Sequence, residues 1–67
     1  MTYTEFVINV TTHFGTHRHN IRFGQAVYNC LATARPEIAS QLIDTPLDPF
    51  HKNKVGEEVW EFIRERW

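Results

Sequence analysis

Three imidazoles, His13, His17 and His19, fall within seven residues of this 67-residue chain. Imidazole is the commonest side chain that ligates transition metals, so three together invite a zinc or nickel site. The stretch offers no carboxylate or cysteine to complete a ligand set, and Gly15 interrupts the helical spacing that would align His13 with His17. The expectation is therefore solvated connector histidines and no metal. His17, Arg18, His19 and Arg22 also form a basic connector ahead of a helix, where arginine and free N–H groups attract phosphate. No acid lies between Glu5 and Glu37, whereas seven acids face four bases from Glu37 onward, so the molecule is read as electrically bipolar. Arg18 and Arg22 are few for a nucleic-acid backbone, which needs several cationic contacts. Ordinary surface charge or docking to an acidic protein stands ahead of nucleic acid, which is the runner-up.

Catalysis has less to stand on. Ser40 is the sole serine, and Cys30 falls on an apolar stripe, where a thiol is usually inert. Glu57, Glu61 and Glu65 lie one helical turn apart, but Arg64 and Arg66 accompany them, as on a solvated helix face. No glycine-rich phosphate loop, His-Glu zinc motif or nucleophile elbow is present. A chain of this size has little room for an enclosed pocket, so it is read as a non-enzyme without cofactor.

The composition sets the scale on which these residues must be positioned. A chain of 67 residues is one small domain, 1–67. Such a domain buries only about 60% of the surface its unfolded chain exposes. Aromatic residues make up 13% of it, and large rings remove much apolar area from water. The formal charge is −1, neither the basic balance of a nucleic-acid coat nor that of an acidic tail. A single cysteine excludes an internal disulfide. No apolar run is long enough for a bilayer and no basic-then-apolar leader is present, which predicts a soluble, cytoplasmic protein with no membrane partner.

Hydrophobic spacing predicts helices. Thr2 to Phe14 places Tyr3, Phe6, Val7, Val10 and Phe14 on one stripe, and Thr2 with Glu5 matches a capping box. The same segment alternates almost well enough for a strand, but no second segment alternates to pair with it. Gly15 is expected to end this helix and Thr16 to Asn20 to connect it onward. Asn20 would cap a second helix, from about Ile21 to Arg35, whose stripe is Phe23, Val27, Cys30, Leu31 and Ala34. That helix carries no charge between its terminal arginines, which marks it as the central element. Pro36 suits the first turn of a short third helix with Ile38, Leu42 and Ile43 inward. Asp44 to Phe50 contains two prolines and reads as a loop pinned by Leu47 and Phe50. The last helix is expected from about Asn53 to Trp67, with Val55, Val59, Phe62 and Ile63 inward. The fold class is all-α: a bundle of three to four short helices with a proline-containing loop before the last.

The run Gly24-Gln25-Ala26-Val27-Tyr28-Asn29, then Arg35-Pro36-Glu37-Ile38-Ala39, then Asp48-Pro49-Phe50, resembles small, mostly uncharacterised proteins encoded by bacteriophages and prophages. The likeness covers about residues 3–50. It implies a phage origin and a helical fold rather than a reaction. This chain departs from the pattern in its His-rich connector and in a last helix ending on Trp67. The residues suggest structural roles: Gly24 for close helix approach, Gln25 and Asn29 to tie down loop backbone, and Asp48-Pro49 to fix a turn.

Trp60 and Trp67 lie roughly 140° and 120° around the last helix from Val55, widening its apolar arc to about 160°. Both rings are read either as a lid on a very small core or as part of a docking surface that Ile8 and Tyr28 extend. The function expected is a phage-type module that docks on a host or phage protein and modulates it, with inhibition by blocking a surface the first expectation. A nucleic-acid or phosphate binder acting through residues 13–22 and a homo-oligomeric assembly component are the alternatives.

Overall fold

In a computed structural model describing residues 1–67, 66% of the chain is helical and no strand is present, so the ambiguous first segment is a helix. Helix α1 spans Tyr3–His17, α2 Phe23–Ala34, α3 Pro36–Leu42 and α4 Glu57–Arg66. The capping box at the start of α1 forms as spaced. Glu5 donates its N–H to Thr2 Oγ1 at 3.1 Å, and Thr2 donates its own to Glu5 Oε1 at 2.7 Å. Phe6 and Val10 are fully buried on the inward stripe, flanked by half-buried Tyr3, Val7 and Phe14.

Gly15 does not end α1, which runs one more half-turn to His17. One interior glycine costs a helix only about 1 kcal/mol. The helix terminates instead where Asn20 and Ile21 both donate their amides to the His17 carbonyl, at 2.8 and 3.2 Å. That bonding also explains why Asn20 caps nothing: it belongs to the end of α1. Arg22, without a side-chain cap bond, precedes α2.

Helix α2 is the central element, packed on one side by α1 and on another by α3. It buries Ala26, Val27 and Leu31. Pro36 takes the first turn of α3, and Ile38, Ala39 and Leu42 join the core. Ile43 was expected inward but is 39% exposed, because the chain leaves the helix at that residue in an extended conformation and turns it outward. The core is one cluster of ten nearly inaccessible residues, closed by Val59 and Ile63 of α4. Each large aliphatic side chain so buried contributes about 1.5–3 kcal/mol.

The loop from Ile43 to Gly56 is tied internally. Asp48 accepts from Asp44 N at 2.8 Å through one carboxylate oxygen and from Phe50 N at 3.0 Å through the other. Asp44 itself adopts φ 61°, which its short polar side chain tolerates. Leu47 and Phe50 are half-buried as expected, and Pro49 is fully buried. The Gly24 N–H donates to the Lys52 carbonyl at 2.9 Å. Neither Gln25 nor Asn29 bonds to the loop; backbone at Gly24 does what their side chains were expected to do. Helix α4 starts at Glu57, four residues later than expected, because Lys52 and its neighbours are held in turns against α2 and Gly56 is the N-cap. Val55 therefore packs on the core from the loop, and Phe62 is half-buried beneath the Arg66 guanidinium, 3.6 Å from its ring centre.

Candidate functional site

The longer α1 places His13 and His17 one turn apart on a single face, their rings 4.7 Å apart. They are not connector histidines. Both line a cleft of about 660 Å³ between α1 and α2, together with Asn9, Thr12 and Thr16 from α1. The facing wall is formed by Asn29, Cys30, Thr33 and Ala34 of α2 and by Arg35 just beyond its end. Thr16 and Thr33 donate their hydroxyl protons to backbone carbonyls one turn back, at 3.1 Å each. The donors left for an occupant are the Thr12 hydroxyl, the amides, the imidazoles and the Arg35 guanidinium.

Arg35 closes one end. Its guanidinium lies over the Trp67 ring, 4.8 Å from the centre, and its buried Nε has no hydrogen-bond partner. The Trp67 indole N–H donates to the Met1 carbonyl at 3.1 Å, which ties Met1, a lining residue of the cleft, to the end of α4. Burial raises the Cys30 thiol above its ordinary value, which keeps it protonated and a weak nucleophile. No three His, Cys, Asp or Glu side chains are gathered closely enough to hold a metal ion.

The four apolar residues read as a docking surface do not form one patch. Trp67 packs at 4.9 Å from Phe6 and edge-on to Tyr3 at 6.0 Å, which is the arrangement of a lid. Trp60 touches Phe6 and Phe23, and its carbonyl accepts from the Tyr3 hydroxyl at 3.5 Å. Burial raises the Tyr3 phenol, with Arg64 acting in the opposite sense. Tyr28 stacks edge-on with Phe50 of the loop at 5.5 Å. Ile8 alone points outward, 58% exposed.

Arg18, His19 and Arg22 are exposed at the α1–α2 turn, on the opposite side of His17 from the cleft's Arg35 end. The start of α2 offers less to an anion than its sequence suggested, since the Gly24 amide is already taken by Lys52. Sequence reasoning missed Arg35 and Thr33 as lining residues. The available signal was the helical spacing of Asn9, Thr12 and Thr16, and of Asn29 and Thr33, beside two apolar stripes. No helix is long and apolar enough to cross a membrane. Comparison with known families, curated proteins and solved structures returned no match to this chain.

Proposed function

We propose that this chain is a non-enzymatic, phage-type module that docks on a host or phage protein and inhibits it by covering a surface. The observation that carries this reading is the outward face of α1. Thr4, Ile8, Thr11 and Gly15 follow one another along that face, all exposed and none charged. Interface cores are depleted of charge, and such a face loses little solvation when a partner covers it. Burying the 58% of Ile8 that is exposed would add about 1–2 kcal/mol to association. The raised Cys30 thiol and a Ser40 hydroxyl committed to the Glu37 carbonyl at 3.0 Å supply no activated nucleophile, which favours binding over turnover.

The test is capture from bacterial lysate with immobilised wild type, Ile8→Glu and Arg22→Gln, after circular dichroism has shown equal helicity. A partner retained by wild type and Arg22→Gln but lost by Ile8→Glu supports docking through α1. Identical captures by all three, or none, overturn it. A concentration-dependent dimer that Ile8→Glu abolishes would instead favour assembly with a second copy. Retention lost only in Arg22→Gln, with a mobility shift on DNA at low salt, would favour nucleic acid.

A further inference from the structure

Arg35 is the one charged side chain lining the α1–α2 cleft, and no acid lines it. The single ion pair of the chain joins Arg66 to Glu65, and Arg35 is set apart from the other arginines by a buried Nε without a hydrogen-bond partner. The buried Nε meets no protein acceptor, which is costly for a donor, and the terminal N–H donors of the planar fork are left to solvent or a ligand. The Trp67 ring packs against the guanidinium without neutralising it. The far end of the same cleft presents the His13 and His17 imidazoles, with the Asn29 amide on the facing wall.

We propose that this cleft binds a small organic anion, its carboxylate or phosphate group held by Arg35 and its body hydrogen-bonded by His13, His17 and Asn29. The fork geometry of arginine matches two oxygens of either group. The volume of about 660 Å³ falls within the range of clefts that accept metabolite-sized ligands, with one side here open to solvent. Met1 lines the cleft with its carbonyl bonded to the Trp67 indole. Two imidazoles without a third ligand favour hydrogen bonding over metal coordination. This site involves none of the outward residues of α1 and stands or falls separately from docking.

The test is titration of the isotope-labelled chain with sodium pyrophosphate and, separately, with sodium citrate, followed by NMR against sodium chloride at matched ionic strength. Saturable shifts of the Trp67 indole N–H and of the Thr33 and Arg35 amides are expected. Arg35→Gln should weaken binding at least tenfold, the double change His13→Gln and His17→Gln about threefold, and Arg22→Gln not at all. If Arg35→Gln does not fold, Arg35→Lys, which keeps the charge but loses the fork, should still bind several-fold more weakly. Saturation by pyrophosphate alone identifies a phosphate ligand and by citrate alone a carboxylate. The proposal is overturned if neither saturates, if the shifts centre on Arg18 and Arg22, or if the Arg35 variant that folds binds as tightly as wild type. It is likewise overturned if only a glutamate-rich peptide fills the cleft.

Discussion

Gly24 and Pro49 meet backbone to backbone: a Cβ placed on residue 24 would collide with the Pro49 carbonyl oxygen and lie 2.7 Å from that of Lys52. Neither obstacle is the movable end of a side chain. Gly24→Ala must therefore push the loop away from α2, breaking the bond to Lys52 and exposing Pro49. Overpacking typically costs about 1–3 kcal/mol, and this rigid case belongs at the upper end or beyond. In a domain this small each kcal/mol lowers Tm by roughly 4–8 °C, so thermal denaturation should show a fall of at least 10 °C or no folded protein.

Gly15 is the opposite case. It lies inside α1 with nothing within 4 Å of where a Cβ would sit. Gly15→Ala should raise stability by about 0.5–1 kcal/mol, since alanine loses less conformational freedom on entering a helix. Urea denaturation should show a higher midpoint with the same slope; an unchanged or lower midpoint contradicts the account of α1 given above.

Trp67→Ala removes the ring from Phe6 and Tyr3, the platform beneath Arg35 and the bond to Met1. A loss of about 2–3 kcal/mol is expected, somewhat below that for a fully enclosed tryptophan. Unchanged stability would return Trp67 to the role of a docking residue.

The capping bonds to Thr2 hold the Glu5 carboxyl below its ordinary value of 4.5. A depressed carboxylate contributes stability that is present above the unfolded value and is lost as pH falls through the folded one. Glu5→Gln keeps a cap acceptor but cannot titrate. Its Tm should therefore fall less than that of wild type between pH 5 and pH 3, and parallel acid limbs would contradict this.

The inward stripes were legible in the sequence because burial repeats with the helical turn: Phe6 and Val10, Val27 and Leu31, and Ile38 and Leu42 are all interior. The ends of the elements were less so. Asn20 has the composition of a cap, but its amide goes to His17, a choice set by how the turn closes rather than by side-chain type. The same difficulty hid the cleft. Whether His13 and His17 share a face depends on whether Gly15 interrupts the helix, which is a difference of about 1 kcal/mol that packing overrides. Arg35 was legible as a charge, but its lack of an acceptor emerges only once Trp67 is seen to fold back over it.

The clasp between the Trp67 indole and the Met1 carbonyl brings both chain ends to one corner of the molecule, at the mouth of the Arg35 cleft. Any purification tag fused to either end would emerge there, and a polyhistidine tag would add its own imidazoles to a basin already lined by two. Ligand measurements on this protein accordingly call for tag-free material.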